Sequence, residues 1–174
     1  MLTNPSWVVR TARLTLEPVS RADLGDLRAL KADPLVFATM LGGVRSPAQT
    51  EAELAADVAF WGAHGCGIWA IREAAARTFL GITGLMDRPD GRGIALRFAL
   101  WPEAQGQGFA REAAGAALRF GHERAGLRRI VAVARASNIG SRTVLGGIGM
   151  TERERFVRDG HWMVLYESVG GLRR

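Results

Sequence analysis

The chain is 174 residues long, 48% hydrophobic and 23% charged, which suits one compact domain over residues 1–174, is short for two and excludes a disordered chain. No apolar run approaches the roughly 18 residues that span a bilayer, Met1 to Arg10 lacks the apolar centre of a signal peptide, and the one cysteine, Cys66, excludes an internal disulfide framework, so a cytoplasmic protein is expected. The net charge of +6 is almost all arginine, with Lys31 the only lysine, and the arginines are spread along the chain, which argues for compositional bias over a nucleic-acid-binding tract.

Residues 8–19 read as one strand, with apolar Val9, Leu14, Leu16 and Val19 separated by polar partners. Ser20 to Asp23 is a capping-box pattern, and Leu24, Leu27 and Leu30 follow at helical spacing until Pro34 stops the helix. Ser46, Pro47 and Gln49 start a second helix, whose apolar face carries Leu54, Ala55, Val58 and Trp61. Strands follow at 67–72 and 78–86, then a turn at Asp87 to Gly91 and a strand at 94–100. A helix from about 108 to 124 puts Ala110, Ala113, Ala114, Ala117, Leu118 and Gly121 on one small-residue face, with Arg111, Gly115, Arg119 and His122 opposite. A buried strand at 129–136, a short helix at 138–147 and two strands joined by an Asp159-Gly160 turn complete the domain, leaving 169–174 as a tail. The expected class is α/β (α+β): a mixed, mostly antiparallel twisted sheet of about seven strands with about four helices and one strand–helix–strand crossover.

Gln105-Gly106-Gln107-Gly108-Phe109-Ala110 follows a strand and opens a helix. Glycines allow a tight turn that brings backbone N–H groups against a ligand, and a helix start adds unpaired N–H groups and partial positive charge. Together these make a pyrophosphate site. The pattern Gln/Arg-x-x-Gly-x-Gly/Ala also matches Arg88 to Gly93, but a strand follows there, so that copy reads as a hairpin turn. The segment at 105 is not a P-loop, for no Gly-Lys-Ser/Thr follows, nor a Rossmann fingerprint, since Arg111 stands where the third glycine belongs.

These residues resemble the GNAT acetyltransferase superfamily, in the branch that includes ribosomal-protein alpha-amine acetyltransferases. Four stretches carry the likeness, over about residues 10 to 167: Thr11 to Leu16, Leu100 to Ala110, Asn138 to Ser141 with Val144-Leu145 and Gly149-Met150, and Arg158 to Trp162 with Tyr166. The resemblance implies that acetyl-coenzyme A lies in a cleft between the fourth and fifth strands, at about 94–100 and 129–135. It implies that backbone groups of Phe98, Ala99 and Leu100 pair with the pantetheine amides, that Gln105 to Ala110 hold the pyrophosphate, and that Asn138 bonds the pantetheine arm. A substrate amine would attack the thioester directly in a ternary complex.

Many members of the family use a tyrosine as acid seven residues after the Asn; Leu145 stands there, and the only tyrosine is Tyr166. Ser141 is the family-consistent substitute, and it also reads as a helix-start serine. Ala95 replaces a glutamate common in the fourth strand, with Arg97 nearby. Glu51, Glu53 and Asp87 are candidates for contacting a cationic amine, though each reads more simply as a solvated surface carboxylate. His64, His122 and His161 show no metal spacing, so no metal is expected. The expected function is acetyl transfer to a primary amine, on a peptide N-terminus or a small molecule. The alternative is a non-catalytic acyl-coenzyme A sensor on the same fold. No membrane or nucleic-acid partner is expected, and a homodimer stays open.

Overall fold

The computed structural model of the chain describes residues 3–170; positions 171–174 of the expected tail lie outside the described residues. After a short 3₁₀ turn at Pro5–Trp7, the chain forms β1 (Val9–Arg10) and β2 (Leu14–Pro18). These pair antiparallel, with Val9 opposite Leu16, so the single strand expected over 8–19 is a hairpin. Thr11 closes it: its N–H donates to the Leu14 carbonyl at 2.9 Å and its Oγ1 accepts from the Leu14 N–H at 3.1 Å. Val9 and Leu14 stand five residues apart, an odd spacing that breaks strict alternation where the chain reverses.

Helix α1 (Leu24–Ala32) follows its expected cap, where the Ser20 N–H donates to Asp23 Oδ2 at 2.9 Å. Pro34 ends α1 and also opens a four-residue helix, α2 (Pro34–Phe37), whose first turn is capped by Asp33 Oδ1 accepting from the Leu35 N–H. The long α3 (Pro47–His64) starts with the reciprocal Ser46–Gln49 bonds expected of a capping box, at 3.1 and 2.8 Å. It stops at Gly65, which adopts φ +66°. Then come β3 (Ile68–Glu73), β4 (Phe79–Asp87), β5 (Ile94–Leu100), α4 (Phe109–Glu123), β6 (Arg129–Arg135), α5 (Ile139–Gly147), β7 (Thr151–Arg158) and β8 (His161–Val169).

The described residues therefore form eight strands and five helices, against about seven and four expected; the extra ones come from the β1–β2 reversal and from α2. All strands share one sheet in the order β1-β2-β3-β4-β5-β6-β8-β7. Every neighbour is antiparallel except β5 and β6, which the α4 crossover makes parallel.

Helix α4 packs on one face of the sheet through Ala113, Ala114, Ala117 and Gly121. A Cβ at Gly121 would come within 2.8 Å of Ile130 and Leu85, so the small face sets how closely helix and sheet approach. Gly115, on the side opposite the small-residue face, is also buried, because Ile148 at the end of α5 lies over it. An aromatic knot of Trp61, Trp69 and Phe120, with edge-to-face centroid distances of 4.8 and 5.0 Å, ties α3, β3 and α4 together.

Gly84 in β4 has φ +158°, and a Cβ there would lie 2.3 Å from the Gly67 carbonyl oxygen, a backbone atom that cannot yield. Gly62, exposed within α3, has open space around it. Gly84→Ala should lower the unfolding free energy by roughly 2–4 kcal/mol, whereas Gly62→Ala should raise it by about 0.5–1 kcal/mol. Urea unfolding of both variants measures the two signs; a Gly84→Ala change near zero would contradict this packing.

Candidate functional site: the cleft between two parted strands

Strands β5 and β6 pair at one register only, Ala95 opposite Val131, and part beyond it. The outer edge of β5 stays bonded to β4 as far as Leu100, and that of β6 to β8. The inner edges thus face each other across a cleft with no strand between them. An open edge of this kind accepts an extended, amide-bearing ligand as an added strand. Phe98, Ala99, Asn138 and Ser141 line the cleft together. Leu100 does not line it; its side chain is buried and its carbonyl accepts from Gln105 Nε2 at 3.0 Å. Gln105 therefore braces the loop against the end of β5.

Asn138 caps α5, its Oδ1 accepting from the Ser141 N–H at 3.1 Å. The Ser141 hydroxyl itself has no hydrogen-bond partner among the described residues, so the cap uses its backbone and leaves its side chain available to the cleft.

At the open end, Gly106 (φ +75°) and Gly108 (φ +81°) turn the chain into α4. The N–H groups of Gly106, Gln107, Gly108, Phe109, Ala110 and Arg111 have no acceptor among the described residues, and pairing resumes with the Glu112 N–H on the Gly108 carbonyl. Four of these are the orphan donors of any helix start; two more come from the loop. Gly106, Gln107 and Gly108 are exposed, and nothing within 4 Å would meet a Cβ at Gly106. A row of free donors at the positive end of a 15-residue helix suits a phosphate-bearing group.

A residue that the sequence reading did not single out holds this loop. Arg13, in the β1–β2 turn, donates to the Gln107 carbonyl at 2.9 Å and to Glu112 Oε1 at 2.8 Å, and stacks on the Phe109 ring at 4.3 Å. Glu112 also accepts from Thr11 and from the Arg13 backbone. Burial raises the Glu112 pKa, but these hydrogen bonds outweigh it and leave it below the usual carboxylate value.

The three carboxylates proposed for the amine lie elsewhere. Glu51 pairs with Arg28 at 3.0 Å and Arg21 at 3.6 Å. Glu53 is held by Lys31 and Arg45, and Asp87 is exposed at the end of β4. None of them lines the cleft, and neither does any other Asp or Glu. Five arginines line it instead: Arg45, Arg88, Arg97, Arg135 and Arg158. The strand pattern held a signal for two of them, since Arg97 continues the face of Ala95 and Ala99 while Arg135 continues that of Val131 and Val133. Tyr166 is no replacement acid, because its hydroxyl donates to Glu152 and accepts from Arg142, each at 3.1 Å. Among the described residues, no group of three or more His, Cys, Asp or Glu side chains is placed to hold a metal.

One buried acid also went unread. Asp57 on α3 is 7% exposed and makes no hydrogen bond among the described residues. Burial pushes its pKa from the ordinary 3.8 to about 6, against the opposing pull of Lys31 and Arg97. Arg97 is held below its usual value by burial, partly offset by Asp57 and Glu53. A raised folded-state pKa means that the native chain binds more protons than the unfolded one between about pH 4 and 6. The stability from this group is thus full in acid and is lost as pH rises through about 6. Asp57→Asn removes that loss. The unfolding free energy of the variant relative to the parent should rise between about pH 4 and 7 in urea titrations; a pH-independent difference would show that Asp57 does not titrate in this way.

Comparison with known proteins places this geometry. Residues 13–151 match the family model described as "Acetyltransferase (GNAT) domain". An acetyltransferase from Agrobacterium tumefaciens str. C58 is 28% identical, with TM-score 0.82 over 97% of this chain and 96% of its own. At 17% identity, the fold is shared with a ribosomal L7/L12 alpha-N-protein acetyltransferase solved with coenzyme A, at TM-score 0.78 over 94% of this chain and 98% of that one. It is shared, again at 17%, with a Vibrio cholerae spermidine N-acetyltransferase solved with coenzyme A and spermine, at TM-score 0.77 over 91% and 96%. The parted parallel strands, the free amides at the start of α4 and the family match over most of the sequence lead to one conclusion: the chain belongs to the GNAT acetyltransferase family.

Proposed function

We propose that the protein transfers an acetyl group from acetyl-coenzyme A to a primary amine, on a peptide N-terminus or a small molecule. The observation that carries this reading is the run of six unpaired N–H groups from Gly106 to Arg111 at the mouth of the parted strands. These amides would hold the pyrophosphate. The free edge of β5 at Phe98 and Ala99 would pair with the pantetheine amides, and the Asn138 side-chain amide, whose oxygen caps α5, would donate to the same arm. The groove lined by Gly108, Arg111, Gly115, Arg119 and Gly147 continues from the loop and would take the nucleotide end. Coenzyme A in two structural neighbours, with an alpha-amine and a polyamine named in their activities, supports both halves of this reading.

The reaction joins the amine nitrogen to the acetyl carbon as the C–S bond breaks; the nitrogen gives up one proton to water in the cleft, the departing thiolate takes one, and water returns the proton to the group that supplied it. Within this chain the Ser141 hydroxyl is the donor to the thiolate: it lines the cleft, has no competing partner, and no tyrosine hydroxyl is available. Direct transfer in a ternary complex needs no nucleophile from the chain, and the buried Cys66 takes no part.

The absence of any carboxylate from the cleft lining favours a second reading, a domain that binds acyl-coenzyme A without turnover. Thiol release from acetyl-coenzyme A across a panel of amines and peptides separates the two: turnover supports the enzyme, while tight cofactor binding with no turnover supports the sensor. Gly108→Asp would place a carboxylate among the free amides, near Arg13, and should weaken coenzyme A binding at least tenfold by calorimetry without unfolding the chain. Undiminished affinity in that variant would refute the cofactor placement. Ser141→Ala should lower kcat roughly 10²-fold with little change in the KM for acetyl-coenzyme A; an unchanged kcat would remove Ser141 from the chemistry.

A further inference from the structure

Three of the five arginines that line the cleft have no side-chain hydrogen bond or ion pair among the described residues: Arg97, Arg135 and Arg158. The other two are engaged, Arg88 with Asp90 at 2.6 Å and Arg45 with Glu53 at 2.7 Å. Arg135 Nε is fully buried and unpartnered. An orphaned donor of this kind is costly to bury and is normally met by an acceptor. Elsewhere in the chain arginines find carboxylates readily, as Arg13, Arg72, Arg129 and Arg142 do. The other described arginines without a side-chain partner, Arg10, Arg111, Arg119 and Arg128, are exposed to solvent, whereas the three in the cleft are half-buried.

These guanidinium groups converge from three elements. Arg97 projects from β5 between Ala95 and Ala99, and Arg135 ends β6 on the face of Val131 and Val133. Both lie on the face away from α4, whose contacts in the sheet are Leu96, Leu100, Ala132 and Ala134. Arg158 comes from the end of β7, close enough to Arg88 and Arg135 for their charges to be felt; burial first, then Arg88 and Arg135, hold its pKa below the ordinary value against the opposing pull of Asp159 and Asp90. None of the loop residues that would hold the pyrophosphate lines this part of the cleft.

We propose that the acceptor is an amine that also carries an oxyanion, a carboxylate or a phosphate, which Arg97, Arg135 and Arg158 receive on the side of the cleft opposite α4. This rests on the acetyltransferase reading and names the substrate class of the same site. Planar guanidinium groups suit bidentate recognition of either oxyanion. The same charges disfavour an ammonium ion, so they shift the acceptor toward the neutral amine that attack requires, in a cleft without a carboxylate base. A polyamine, all cation, is the acceptor least suited to this lining.

The test does not depend on turnover. The protein saturated with coenzyme A is titrated by calorimetry with the C-terminally amidated peptide N-acetyl-Asp-Glu-amide and with its uncharged counterpart, N-acetyl-Asn-Gln-amide; phosphoserine carrying an N-acetyl group supplies the phosphate arm. The expected result is saturable binding of at least one anionic ligand, at least tenfold tighter than the neutral one, and weakened at least tenfold by Arg135→Gln or Arg158→Gln. Thermal unfolding of each variant, together with its coenzyme A affinity, establishes that it is folded. Equal affinity for acid and amide in the unaltered protein overturns the proposal, as does preference for spermidine over every anionic ligand. Anion binding that coenzyme A abolishes also overturns it, by assigning these arginines to the coenzyme. In parallel, thiol release with Asp-Glu, Asn-Gln, phosphoserine and spermidine as acceptors tests the enzyme reading alone: absence of turnover with all amines alongside selective anion binding would sink the transferase and leave the anion site.

Discussion

Six backbone N–H groups in succession, from Gly106 to Arg111, have no acceptor among the described residues, two more than a helix start leaves by itself. Helix geometry makes four of them unavoidable. The two glycines, both at positive φ, add the remainder by turning the chain so that the loop amides are left open to solvent. Everything else in the site depends on that row of donors being held still at the mouth of the cleft.

Two sets of contacts do the holding. From outside, the β1–β2 turn reaches over: Arg13 grips the Gln107 carbonyl, stacks on Phe109 and bonds Glu112 in the first turn of α4. From beneath, the alanine face of α4 and Gly121 let the helix settle close onto β4 and β6. The crossover through α4 also forces β5 and β6 to be parallel, the one such pair in the sheet, and they stay bonded at a single register before parting. The helix start and the open strand edges are thus products of one connection.

Much of this architecture was legible in the sequence, because caps and periods are local. The Ser46–Gln49 cap, the small face of α4, the crossover and the turn at Arg88 to Gly93 all follow from neighbours in the chain. The β1–β2 reversal escaped because β1 has only two residues and α2 because it has only four, too few in either case to show a period. The glycine loop was readable as a candidate site because the chemistry proposed for it is that of the backbone, written in consecutive residues. The arginine floor of the cleft was not: its members come from β5, β6 and β7, and as a sequence they look like compositional bias spread along the chain. Glu51 and Glu53 had the right charge for an amine but not the right surroundings, since Arg21, Arg28, Lys31 and Arg45 already pair with them. Which carboxylate meets which arginine is decided by tertiary packing, and one sequence does not record it.

The central claim is that main-chain amides at the start of α4 receive the diphosphate. Backbone amide resonances of the ¹⁵N-labelled protein, followed while coenzyme A is added, report on those atoms directly. The account predicts that the Gly106, Gln107 and Gly108 amide protons move downfield together, saturate with the binding isotherm, and exchange with solvent more slowly in the complex. Saturable binding that leaves these resonances in place, with shifts confined to other parts of the chain, would contradict it.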